Sequence, residues 1–117
     1  MWYSIETNEQ VYDIWGFLKK IVDKYITIDD FNDFLDEKYG SIEIVRVNFY
    51  ASEILEQLSP HLYNLEYSGY KIKVVDELKS ILDNQEPEEG NTLLDLLDGW
   101  LPFNKYPEEL NNIKYRN

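Results

Sequence analysis

The sequence predicts a single α+β domain of 117 residues, mostly helical with a small two- or three-stranded sheet. Three observations carry that expectation. The length admits one hydrophobic core and no independent second one. Apolar side chains recur every three or four residues through several segments, most of them opened by a capping residue. Two short stretches, Trp2 to Glu6 and Ile42 to Phe49, carry β-compatible side chains instead. Hydrophobic residues make up 44% of the chain, enough for a folded core, although 23 acidic residues face only 11 basic ones and leave a net charge of −12. The excess acidity therefore belongs to the surface of a folded body.

In chain order, Trp2 to Glu6 suffices for one strand. Thr7, Asn8, Glu9 and Gln10 read as a capping box, in which the Thr hydroxyl and the Gln side chain satisfy opposite backbone N–H groups at a helix start. Val11, Ile14, Trp15, Leu18, Ile21 and Val22 then form an inward stripe, placing Trp15 in the core, while Asp13, Lys19, Lys20 and Asp23 mix charges on the other face. Thr27 caps a second helix, with Asp30 three residues on, Ile28, Phe31, Phe34 and Leu35 inward, and Gly40 as a left-handed exit. Its outer face is acidic, with Asp29, Asp30, Asp33, Asp36 and Glu37.

From Ile42 to Phe49 apolar residues occupy both parities, which predicts one strand covered on both faces and paired with the N-terminal segment. Ser52 caps a short helix carrying Ile54, Leu55 and Leu58, and Pro60 marks a break or a new helix start. Gly69 separates the aromatic stretch from His61 to Tyr67 from a further amphipathic helix, in which Tyr70, Val74, Val75, Leu78 and Leu82 point inward. Asn84 to Asn91 is a polar loop by composition. Thr92 opens a leucine-rich turn that ends at Gly99, and Pro102 and Pro107 punctuate the tail.

Few residues bear reactive chemistry. The absence of cysteine removes a thiol nucleophile, a thiolate metal site and a disulfide scaffold. His61 is the sole imidazole, and no phosphate-cradling glycine loop, nucleophile elbow or dinucleotide fingerprint occurs. The acids around Asp29 to Asp33 lack the alternating ligands, central Gly and distal Glu of a calcium loop. No catalytic residue, cofactor or metal ligand is therefore expected. A charge of −12 disfavours direct contact with nucleic acid or anionic lipid. The opening residues lack the basic and apolar regions of a signal peptide, and no apolar run reaches membrane-spanning length, so the expected location is the cytoplasm.

The charge pattern is more informative than the total. Five acids between Asp29 and Glu37 share roughly 12 Å of helix, about one charge per 2.5–3 Å, against about 1.7 Å of axis per charge in duplex DNA. A second block lies between Lys79 and Lys105, where no basic residue interrupts Asp83, Glu86, Glu88, Glu89, Asp95 and Asp98. Such blocks repel themselves, and a basic partner that neutralises them recovers the cost; solubility is the competing explanation. Ten Tyr and three Trp add candidate anchors, because these rings join apolar area to a polar tip. Tyr63, Tyr67 and Trp100 are the anchors that the sequence suggests.

The segment from Val47 to Tyr63 resembles a local pattern in small proteins of phages and mobile elements: a strand running into a small-residue and Ser helix start, an Ile-Leu-x-x-Leu turn, Ser or an acid before Pro, and Tyr three residues later. Ser59 stands where Asp is the commoner residue. In size, charge and lack of reactive motifs the whole chain is similar to phage DNA-mimic inhibitors, the antirestriction and anti-CRISPR proteins, which place carboxylates where phosphates would lie. That resemblance implies an inhibitor of a host defence protein, bound to its basic nucleic-acid-binding surface. An immunity protein or antitoxin that neutralises a basic toxin is the second reading, and a carboxylate- or metal-dependent enzyme the third.

Overall fold

The computed structural model describes residues 1–103 and 105–117. In chain order the elements are strand β1 (Trp2–Ser4), helices α1 (Ile14–Tyr25) and α2 (Ile28–Tyr39), strands β2 (Ser41–Ile44) and β3 (Val47–Tyr50), and helices α3 (Ala51–Leu58), α4 (Pro60–Asp83) and α5 (Leu93–Leu97). A 3-10 helix (Glu108–Asn112) and strand β4 (Ile113–Tyr115) complete the chain. The fold is α+β and mostly helical, with two separate two-stranded antiparallel sheets, β1 with β4 and β2 with β3. The body is drawn out to 61 × 24 × 22 Å, with a radius of gyration of 17.5 Å where a close-packed chain of this length has about 13 Å.

Helix α4 sets that length. Its Ser59 cap accepts the Leu62 N–H, and Pro60 occupies the first turn, where a missing N–H costs nothing. The helix continues through Gly69, so the glycine that the sequence suggests as a separator lies inside a single element of roughly 36 Å. Its inward stripe (Tyr63, Tyr67, Tyr70, Val74, Leu78 and Leu82) serves two clusters in series. The distal cluster joins Phe31 and Leu35 of α2 to Tyr63. In the larger cluster Leu18 and Val22 of α1, Val75 and Leu78 of α4, and Leu93 and Leu97 of α5 are almost wholly buried. Each such side chain stabilises the fold by about 1.5–3 kcal/mol relative to exposure.

Helix α1 starts six residues later than the Thr7 cap that the sequence suggests, with Asp13 in place of Thr7 as the capping residue. Thr7 and Asn8 form a turn, with Asn8 at a φ of 57°, and Gln10 bridges Tyr3. Asp13 is the actual cap, its Oδ1 accepting the Gly16 N–H at 2.8 Å. Gly16 permits this approach, since a Cβ there would lie 2.3 Å from the Asp13 carboxylate. Trp15 is also displaced from its expected core position: it is 37% exposed and its indole N–H donates to Asp76 on α4.

The N-terminal strand does not pair with residues 42–49. It pairs with β4, Trp2 opposite Tyr115 and Ser4 opposite Ile113, which brings the two ends of the chain together. Residues 41–50 instead fold on themselves. Val45 and Arg46 take φ of 50° and 66°, the positive pair that a type I′ hairpin turn requires. The turn inverts the parity of β3 relative to β2, so the apolar residues that occupy both parities in sequence occupy one face in space.

Near the chain ends, Lys24 and Tyr25 of α1 both donate hydrogen bonds to the Glu109 carboxylate, and they hold its pKa down at about 2 from the ordinary 4.5. A carboxyl lowered on folding contributes stability above its ordinary pKa and loses it as pH falls toward the folded value. Replacing Glu109→Gln is accordingly expected to lower the melting temperature at neutral pH and to have no effect near pH 2, as read by thermal melts across that range.

Candidate docking surfaces

Hydrogen-bond requirements divide the acids of α2 into two groups. Asp30 completes the capping box: its Oδ2 accepts the Thr27 N–H at 2.8 Å, and its own N–H donates to the Thr27 hydroxyl. It is 6% exposed and belongs to the fold, not to an outer acidic face. Asp36 is similarly committed. It accepts the Ser52 N–H at 2.9 Å and hydroxyl at 3.1 Å, satisfying an orphan donor in the first turn of α3 from another element. The sequence assigns that capping to Ser52 itself, but Ser52 lies inside α3 as a buried donor.

Asp29, Asp33 and Glu37 remain exposed at successive four-residue intervals, one line along α2 with a charge about every 6 Å. Asp29 lies close enough to Tyr63, together with Glu56 of α3, for both carboxylates to reinforce what burial does first, raising the Tyr63 hydroxyl above its ordinary pKa. Glu56 thus joins the acidic edge from a helix whose sequence gives no hint of proximity.

The block after α4 is divided in the same way. Asp83 pairs with Lys79 one turn earlier, Asp95 completes the Thr92 capping box, and Glu89 accepts the Asn117 N–H at 2.6 Å. Glu86, Glu88 and Asp98 are exposed. Roughly 24 Å of helical rise separates Tyr67, where α2 packs, from Asp83, so the two acidic regions lie toward different ends of α4.

Of the suggested anchors, Tyr63 is a core residue and Tyr67 is partly buried against the core. Tyr63 is 5% exposed, its ring stands 5.4 Å from Phe31, and its hydroxyl donates to Asn32 at 2.5 Å. Tyr67 packs 5.3 Å from Phe31 and donates to the Ile26 carbonyl. One helical turn apart on α4, both face Phe31 of α2. Trp100 does sit at the surface, 64% exposed, and borders a cleft of about 210 Å³ with Phe34, Tyr70 and Pro102. His61 is exposed in the first turn of α4 and has no hydrogen-bond partner among the described residues. Among those residues no three acidic or imidazole groups converge as metal ligands, and no helix is long and apolar enough to cross a membrane.

The hairpin presents a surface of another kind. Ile42 faces Phe49 and Ile44 faces Val47, so the four side chains share one face, while Ser41, Glu43, Asn48 and Tyr50 share the other. The apolar face opens onto α3, and with Ile54, Leu55, Leu58 and Leu62 it lines two adjoining grooves of about 480 and 460 Å³. Alternation after a two-residue turn was the available signal, but Val45 and Arg46 conceal it because neither is a usual residue at positive φ.

Comparison with protein-family models, with curated proteins and with solved structures finds no match.

The division of the α2 acids has a measurable consequence. Asp36→Ala is expected to destabilise the protein by about 1 kcal/mol through the lost cap, whereas Asp33→Ala leaves the urea midpoint unchanged; equilibrium denaturation of the two variants distinguishes them.

Proposed function

We propose that this protein is a non-enzymatic acidic inhibitor that docks on the basic nucleic-acid-binding surface of a host defence protein, in the manner of antirestriction or anti-CRISPR DNA mimics. The observation that carries the reading is the α2 line of Asp29, Asp33 and Glu37, flanked by Glu56. None of the four forms an ion pair among the described residues. Their spacing of about 6 Å on the helix compares with about 3.4 Å per phosphate along one DNA strand, so the line matches roughly every second phosphate.

The physical gain comes from relief of repulsion. A chain at −12 is destabilised by self-repulsion among its uncompensated carboxylates, and lysines or arginines of a partner reverse the sign of that contribution. Exposed Glu86, Glu88 and Asp98 lie toward the other end of α4 and extend the negative field, which favours rapid encounter with a basic channel. Trp100, beside its cleft, supplies an apolar contact that charge alone lacks.

Affinity capture from host lysate, followed by assay of the captured protein's nucleic-acid binding, tests the reading. A nucleic-acid-processing protein is expected to be retained at low salt and released at high salt, and its nucleic-acid binding should be blocked by the wild-type chain. Substituting Lys at Asp29, Asp33 and Glu37 together should abolish capture while the protein stays folded, its far-UV circular dichroism unchanged. Retention that ignores both salt and the triple substitution sinks the proposal.

A further inference from the structure

The hairpin face is the largest feature that electrostatic docking leaves unused. We infer that it is the interface of an isologous homodimer, in which the apolar hairpin faces of two copies cover one another and close the grooves over α3.

The first support is area. Tyr39, Ile42, Ile44, Val47, Phe49 and Leu58 stand 38% to 80% exposed at one end of the molecule. Side chains of these sizes at those exposures offer on the order of 700 Å², above the roughly 300–600 Å² of the largest patch on an ordinary monomer and close to the about 800 Å² that each partner gives to a stable interface.

The second is charge. The face formed by Ile42, Ile44, Val47 and Phe49 holds no ionisable group; Glu43 points to the opposite face and Arg46 occupies the tip. A basic surface would find no carboxylate on this face to pair with. A second copy of the chain, despite its −12, meets no like charge there, and its repulsion is confined to rim acids such as Glu53 and Glu66.

The third is self-complementarity. A twofold interface needs a patch that fits itself, and a hairpin with four branched or aromatic side chains on one face meets that requirement by stacking face to face at about 10 Å. A two-stranded hairpin is marginal by itself, and every residue of β2 and β3 is exposed in the single chain. The second copy supplies the missing layer.

Sedimentation equilibrium or size exclusion with light scattering over a micromolar concentration series tests this without knowledge of any other partner. The expected result is a particle of twice 14.0 kDa, with dimerisation strengthened by added salt, because salt screens repulsion between acidic rims. Electrostatic docking weakens under the same change, so the two proposals fail separately. Ile44→Asp and Val47→Asp should each weaken dimerisation by about a hundredfold or more, because a carboxylate is then buried without a partner. Their far-UV circular dichroism should stay unchanged, since the hairpin lies outside both core clusters. Glu43→Gln, on the opposite face, should leave the dimer intact. A mass of one chain at every concentration overturns the inference, as does a dimer that survives both aspartate substitutions.

Discussion

One continuous apolar stripe along α4 holds the molecule together, from Tyr63 near its start to Leu82 near its end. A helix of this length exceeds the reach of a single small core, so the remaining elements pack along it in two groups. Helix α2 closes over the tyrosines of the first half, while α1 and α5 close over the valines and leucines of the second. The elongated shape is a direct result, as is the separation of the acidic regions. Aromatic packing builds the smaller cluster: Phe31 contacts Phe34, Tyr63, Tyr67 and Tyr70 with centroid distances of 5.3 to 6.5 Å, filling with large rings a space that few residues enclose.

An acidic chain built on such a spine uses part of its charge as structure. Asp13, Asp30, Asp36 and Asp95 accept backbone N–H groups at helix starts, where the dipole also favours a negative charge. Glu109 ties α1 to the 3-10 helix by accepting from Lys24 and Tyr25. These groups offset the cost of folding against self-repulsion, and they are withdrawn from any surface role. The acids left on the surface are fewer and more widely spaced than the raw sequence density indicates.

Charge and apolar area are segregated. The acidic line runs along α2, and the uncharged hairpin face extends from the same end of the molecule through Gly40, whose φ of 73° lets the chain leave α2 and turn at once into β2. The two proposed contacts therefore follow opposite physical rules, the acidic one weakened by salt and the apolar one strengthened. Several helix starts and inward stripes were legible in the sequence because the deciding contact spans three or four residues, although the same short signal at Thr7 falls in a turn and at Ser52 inside a helix. Thr27 with Asp30, Thr92 with Asp95, and Ser59 before Pro60 each announce a helix that the structure contains. The Val45 turn escaped because β-branched residues seldom adopt positive φ, and the strain is accepted here without Gly or Asn to announce it. Gly69 misled for the converse reason: an isolated glycine weakens a helix by only about 1 kcal/mol, which a stripe buried on both sides of it outweighs.

The sequence by itself determined the α+β, mostly helical class, the helix starts at Thr27 and Thr92 and the acidic surplus, because periodicity and capping act within one turn of chain. Tertiary structure alone decided that Asp36 serves Ser52 sixteen residues away, that the Tyr63 hydroxyl belongs to Asn32, and that Trp2 lies opposite Tyr115. Those outcomes depend on which helices share a core, and the continuity of α4 settles that through burial summed over its whole length, a quantity that no short window of sequence contains.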